Sequence, residues 1–421
     1  MTDILSELRW RGLIAQTTDA EALAEALAAG PVTYYCGFDP TAPSLHHGHL
    51  VQLVLMRHLQ RAGHRPLALV GGATGMIGDP RMSGERVLND KETVAAWTDR
   101  LRAQIERFLD FSGDNAARMV NNLDWTAELS AIDFLRDIGK HYRLGTMLAK
   151  ETVARRLASE EGISFTEFSY QILQGNDFRE LFRRYGCTLQ TGGNDQWGNL
   201  LSGVDLVHKA EGASVHAMTT PLITKADGTK FGKTEGGAVW LAPDMMSPYA
   251  FFQFWLNTAD ADVVGYLKVF TFLDRERIGE LEAAVAERPQ AREAQRVLAR
   301  EVTTLVHGAD ACERVEAASA ALFGRGDLRT LDEGTLADAV AEVPRGRVTA
   351  GETTIVDALV ATGLSSSRNE ARRTVGDGGA YLNNEKITDP DRVIGAEDLL
   401  AGGVALVRRG RRNLAVATTQ G

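Results

Sequence analysis

The sequence predicts an α/β protein: a doubly wound parallel sheet first, then an all-α domain, then a small α+β module. Three observations carry this. Two continuous apolar runs of strand length, 31–38 and 65–71, flank an amphipathic helix over 48–62, and so compact a β-α-β unit implies parallel strands covered by helices. From Ser247 the composition turns to helix formers with regular apolar spacing, over 248–256, 259–272, 274–288, 291–306 and 308–323. From Thr353 two short helical runs, 354–361 and 367–375, alternate with strand-like pieces at 380–382, 386 and 404–408.

Composition bounds the function. A chain of 421 residues has room for two or three domains. Its 44% apolar and 24% charged residues exclude disordered and fibrous classes, and no apolar run approaches the roughly 18 residues of a membrane span. Cys36, Cys187 and Cys312 are an odd number without Cys-x-x-Cys spacing, which argues against a disulfide framework or a metal site. With no apolar signal core near the N-terminus, the expected compartment is cytoplasmic. A net charge of −10 argues against a non-specific nucleic-acid coat. Over 365–412, however, nine Lys/Arg face seven Asp/Glu, so that end is a candidate polyanion surface.

Taken in order, residues 3–12 and 19–29 read as helices ending at glycine. The stretch from Tyr35 to Leu50 then turns from strand to helix and carries His46, His47 and His49 at the helix start. Unpaired amides and the helix dipole favour an anion there, so the turn is a candidate nucleotide site. After the 65–71 strand, 71–80 is glycine-rich without the dinucleotide fingerprint, as readily a turn as a ligand loop. Residues 90–112 and 131–160 read as long helices with a strand at 117–122 between them, the whole resembling an insertion. Over 165–177, Tyr170, Gln174 and Asp177 fall at i, i+4 and i+7 and share one helix face, either a solvated stripe or a wall of a pocket. A short strand at 187–189 leads into a loop, 190–199, that suits a ribose or carboxyl group; the alternative is a helix start capped by Asn194 or Asp195. A last strand is expected at 221–224. The loop 225–234, with Lys225, Lys230 and Lys233 among glycines, is either solvated or closes over phosphates.

Together these motifs resemble the bacterial tyrosyl-tRNA synthetases, class I aminoacyl-tRNA synthetases, over the whole chain. The run 39–50 is similar to their HIGH signature, 230–234 to their KMSKS loop, and 365–384 to an S4-type RNA-binding domain. The resemblance implies a Rossmann-like catalytic domain over 1–247, a helical anticodon-side domain over 248–325, a linker over 326–351 and an S4-like domain over 352–421. It implies that tyrosine is activated with ATP to tyrosyl-adenylate, releasing pyrophosphate, and then transferred to the 3′ end of tRNA(Tyr). Mg²⁺ would accompany ATP, with no dedicated protein metal site, and the enzyme would be a homodimer.

Carried over residue by residue, the resemblance places Tyr35 and Asp177 on the substrate phenol, and Asp79, Tyr170 and Gln174 on its ammonium group, with Gln196 near the reacting carboxyl. Cys36, Gly37, Asp39, Gly48, Gly192 and Asp195 would line the ATP site. His46, His49, Thr41, Arg86, Lys230, Lys233 and Thr234 would act on the phosphates. Arg368, Arg372, Arg373, Arg408, Arg409, Arg411 and Arg412 would bind RNA. The chain departs from the family pattern at His47, where an apolar residue is usual. Gln52 occupies a variable position, and the run after Asp79 is one residue short, which puts Arg81 in question as a phosphate ligand. The rivals are a tryptophanyl-type synthetase, which Tyr35 and Asp177 disfavour, and a non-catalytic RNA-binding relative, which intact His46, His49, Lys230 and Lys233 disfavour.

Overall fold

The computed structural model describes residues 3–80, 88–229, 231–234, 237–322, 324, 326–341, 343–410 and 413–419. By compactness the chain forms two units, 1–246 with 257–302, and 247–256 with 303–421. The helices expected as one domain over 248–325 are thus divided between the units. The expected linker carries a helix, Glu333–Ala339, and a strand.

The first unit is built on a six-stranded sheet: β1 (Gln16–Thr17), β2 (Thr33–Phe38), β3 (Arg65–Val70), β4 (Arg118–Asn121), β5 (Cys187–Gly193) and β6 (His216–Thr220), in the order β1-β6-β5-β2-β3-β4. All neighbours are parallel except β1, which runs antiparallel on β6. From β2 the chain moves to β3 on one side and later to β5 on the other. The strand order therefore reverses between β2 and β5, where doubly wound sheets open a crevice at the carboxyl ends of their strands.

Local differences from the sequence expectations have physical causes. The last strand is 216–220 instead of 221–224, and β5 runs on to Gly193, so the paired glycines end a strand and are not a free loop. Residues 131–160 are not long helices but a series of short ones: Ala131–Asp133, a π turn Phe134–Ile138, a 3-10 turn Gly139–His141, and the α-helices Leu144–Leu148 and Glu151–Leu157. Gly139 and Gly145 weaken helix continuation there. Extended backbone at Tyr142 and Arg143 interrupts it. The next helix, Phe165–Tyr185, is long and capped by Ser164, whose hydroxyl accepts the Glu167 amide.

The first unit also pairs two short strands, β7 (Lys233–Thr234) and β8 (Gly237–Ala238); the second unit has a five-stranded sheet: β9 (Arg345–Arg347), β10 (Ala380–Leu382), β11 (Glu385–Ile387), β12 (Val404–Arg409) and β13 (Asn413–Thr418), ordered β11-β10-β12-β13-β9. Helices Ile355–Ala361 and Arg368–Gly376, capped by Thr354 and Ser367, pack Ile355, Leu359, Ala371 and Val375 against Leu382 and Val407. No helix among the described residues is long and apolar enough to cross a membrane.

Candidate active site

Polar side chains gather at the carboxyl ends of β2, β3, β4 and β5. At the start of the His47–Arg61 helix, His46 is the cap. Its Nδ1 accepts the Gly48 amide at 3.0 Å, and His49 Nδ1 accepts the His46 amide at 3.1 Å, with ring centroids 4.0 Å apart. The His47 amide donates to the Val239 carbonyl, and those of His49 and Leu50 to the His46 carbonyl. These first-turn amides are therefore spent, a correction to the expectation of unpaired amides for an anion. The imidazoles remain. Burial lowers the pKa of His46; burial, with His46 and His47 nearby, pushes that of His49 far down. Both rings are neutral at pH 7, and because each Nδ1 accepts, each Nε2 carries the proton and is a donor.

The helix Phe165–Tyr185 turns its polar face inward, which decides for the pocket over the solvated stripe. Asp177, 3% exposed, accepts from Asn122 Nδ2 at 3.0 Å and Trp125 Nε1 at 2.9 Å. Burial raises its pKa to about 7, against those two hydrogen bonds, which favour the anion. Tyr35, 2% exposed on β2, packs against Phe178 with the rings tilted and their centroids 5.3 Å apart, and its hydroxyl is buried without a partner. The carbonyl oxygens of Gln174 and Gln190 are likewise unpartnered. Tyr170 donates to Asp39 at 2.7 Å, and Thr74 donates to the other Asp39 oxygen at 2.6 Å. Gly71 is obligatory beside them, since an added Cβ would lie 1.9 Å from that carboxylate.

Asp79 is bound by Gln196 Nε2 at 2.8 Å and Asn199 Nδ2 at 3.1 Å. Lys150 bonds Ser202 beside them, its pKa lowered to about 8 by burial with Asp79 opposing. Gln196 thus reaches the cluster, and neither Asn194 nor Asp195 caps the helix Trp197–Glu211, whose capping residue is Gln196, with no side-chain bond to the helix amides. Gly192 is buried, whereas Asp195, Thr41 and Gly37 are exposed at the mouth and Gly48 is half-buried. Cys36 is 2% exposed, and burial pushes its thiol up to about 12, so it offers packing and no charge. Gln52 donates to Thr220 at 2.6 Å. Arg81, Arg86 and Lys230 lie outside the described residues, as do the side chains of Lys233 and Thr234.

Sequence reasoning missed Asn122, Trp125, Asn199 and Lys150. Of these, Asn199 had a signal, standing at the end of the 190–199 loop already marked as a ligand-binding candidate. On the RNA side, Arg408 must be corrected. It is 7% exposed and donates to the Leu322 carbonyl and to Asn384, so it is structural. Arg409 is committed to the Leu364 carbonyl and to Glu370 at 2.8 Å. Arg368 and Arg372 are exposed and paired with Asp357 and Asp391, and Arg373 is exposed. Arg411 and Arg412 lie outside the described residues.

Comparison with known proteins bears on this geometry. A family model described as tRNA synthetases class I (W and Y) matches residues 27–324, and one described as a tyrosine–tRNA ligase SYY-like C-terminal domain matches 335–417. Among similar proteins, a tyrosine–tRNA ligase of Streptomyces griseus is 64% identical over 99% of this chain and 98% of its own. One of Streptomyces coelicolor is 63% identical over 100% of both. Among solved structures, a C-terminally truncated mitochondrial tyrosyl-tRNA synthetase of Aspergillus nidulans superposes with a TM-score of 0.70 at 30% identity, covering 77% of this chain and 95% of its own.

Proposed function

The chain belongs to the tyrosine–tRNA ligases of class I, and from that premise we propose how its residues divide the reaction. The enzyme activates tyrosine with ATP and charges tRNA: the carboxylate attacks the α-phosphorus, pyrophosphate leaves, and the terminal ribose hydroxyl of tRNA then takes the tyrosyl group as AMP departs. The observation that carries the residue assignment is the buried, unpartnered Tyr35 hydroxyl beside Asp177. An orphaned buried hydroxyl costs about 1–3 kcal/mol, a cost the substrate phenol removes by bonding Tyr35 and donating to Asp177.

Asn122 and Trp125 position the Asp177 carboxylate and leave it lone pairs for the phenol. The tyrosine ammonium group, with three donors, meets Gln174 Oε1, Tyr170 and Asp79; Gln196, held on Asp79, stands near the carboxyl. His46 and His49 then present two neutral Nε2–H donors to the phosphates. Such donors, fixed by their own Nδ1 bonds, stabilise charge that builds in the transition state without reorganising. Lys230, Lys233, Thr234 and Arg86 receive the pyrophosphate. ATP enters with its Mg²⁺ as substrate; among the described residues no three His, Cys, Asp or Glu groups converge on a cation. Arg368, Arg372 and Arg373 contact tRNA(Tyr) from the C-terminal module, and the chain works in the cytoplasm.

A homodimer is part of the proposal, supported by large apolar side chains left bare between 132 and 165, among them Ile132 at 68%, Leu144 at 66% and Phe165 at 72% exposure. The decisive experiment is pyrophosphate exchange into ATP with each amino acid in turn. Tyrosine alone should support it, and exchange driven equally by phenylalanine or tryptophan would overturn the pocket assignment.

A further inference from the structure

We propose that His47 is a positioning residue that, opposite the helix Asp260–Phe270, holds Phe231–Gly232 and so sets the register of the lysine-bearing loop. The inference rests on the reading of that loop as the pyrophosphate-binding segment and adds a residue to it.

The contacts are specific. The His47 ring meets Phe231 edge-on, centroids 5.2 Å apart. It also hydrogen-bonds the Phe231 backbone, in the sense that favours a ring N–H donor, while its Nδ1 is buried without a partner. Gly232, at φ 78°, lies so close that an added Cβ would sit 2.0 Å from the imidazole. A side chain at 232 is thus excluded twice, by backbone conformation and by the ring.

The other side of the grip is the helix Asp260–Phe270. Phe231 packs on Tyr266 at 4.6 Å and Phe270 at 5.9 Å. The same helix ties the start of the loop: the Tyr266 hydroxyl donates to the Thr224 carbonyl at 3.2 Å, and Asp262 accepts the Ala226 amide at 2.6 Å. The helix end is fixed in turn by Arg11, 4% exposed, which donates to the carbonyls of Lys268, Thr271 and Leu273. In the sequence Lys230 precedes Phe231 and Lys233 follows Gly232, so a grip on these two residues restrains the chain between the two lysines.

The chemistry explains what a histidine supplies at position 47. A leucine would fill the space but could not donate to the Phe231 carbonyl. A lysine or arginine would donate but add a third cation beside two that must turn to phosphate. A neutral imidazole is a donor without charge.

The experiment uses the full-length enzyme and the variants His47→Leu, His47→Gln and Tyr266→Phe. Exchange kinetics give kcat and the tyrosine KM, and limited trypsin digestion reads cleavage at Lys225, Lys230 and Lys233. For His47→Leu we expect kcat down about tenfold, the loss of one hydrogen bond felt at the transition state, with the tyrosine KM unchanged and faster cleavage in the loop. Tyr266→Phe should shift both readouts the same way, and His47→Gln, which keeps a donor, should restore much of both. Wild-type kcat and cleavage in His47→Leu would overturn the inference. So would a loss spread equally over kcat and tyrosine KM, or no rescue by glutamine. Absence of tyrosine-dependent exchange in the wild type would instead defeat the functional reading, and the cleavage comparison would still test the grip.

Discussion

At the scale of single residues, the pocket works through groups held away from their ordinary states. Asp177 is the clearest. With a pKa of about 7 in the free enzyme, it binds its proton more tightly folded than unfolded, where a carboxylate titrates near ~4. Its contribution to stability is therefore lost as pH rises from about 4 through about 7, when a buried anion must form. Tyrosine binding has the opposite sign, since the phenol donates to the anion. The tyrosine KM should rise as pH falls below about 7, and Asp177→Asn should show both a steep loss of exchange and a flat KM profile; a profile unchanged from wild type would remove Asp177 from the phenol site. His46→Ala should lose two things at once: about 10²-fold or more in kcat for a missing transition-state donor, and about 1 kcal/mol of stability for a missing cap. Exchange kinetics and thermal melts separate them. His46, His49, Tyr170 and Asp177 were legible because spacing puts them on one turn or one face. Asn122 and Trp125 were not, because their partner lies some 50 residues away along the chain and nothing local marks the encounter.

Among elements, the helix Phe165–Tyr185 carries most of the amino-acid pocket, and its first turn is moored by the buried pair Arg156–Glu167 at 2.8 Å, both side chains nearly inaccessible. Replacing one partner leaves an uncompensated buried charge. Arg156→Met should cost about 3–5 kcal/mol in urea unfolding, and a loss under 1 kcal/mol would show that water reaches the site. Elements were legible where one face is buried and a cap is present. The helices at 4–10, 20–29, 47–61 and 165–185 fall where apolar spacing and Asp, Ser or His caps place them. Residues 131–160 have helical composition, yet glycine and extended backbone at Tyr142 and Arg143 divide them into short helices. β13 was missed because the two alanines of Asn413–Thr418 dilute the strand signal of Val416 and Thr418, and its place is set by pairing with β12 and β9.

For the whole molecule, the doubly wound sheet was readable from two apolar runs and one helix, while the boundaries of the compact units were not. Those boundaries depend on contacts between distant segments. The core of Ala318, Leu322, Leu336 and Val340 includes Leu406 and Val416, so truncation at 352 would strip that core and confuse unfolding with lost RNA binding. Charge substitutions are the cleaner test. Arg372→Glu with Arg373→Glu should leave pyrophosphate exchange intact and weaken tRNA charging, reducing the salt dependence of binding by roughly one unit of slope per lost phosphate contact. Equal charging at every salt concentration would remove this helix from the RNA surface.

The parallel pairing of β9 with β13 joins Arg345–Arg347 to residues near the end of the chain. On the ribosome this imposes a schedule. The first unit has its full set of segments once residue 302 has emerged, but the second cannot close its sheet until 413–418 are free. During that interval β9 lacks its neighbour β13, and the core around Leu322 and Leu336 lacks Leu406 and Val416, so an exposed edge and a partly covered apolar face are what a chaperone would meet first.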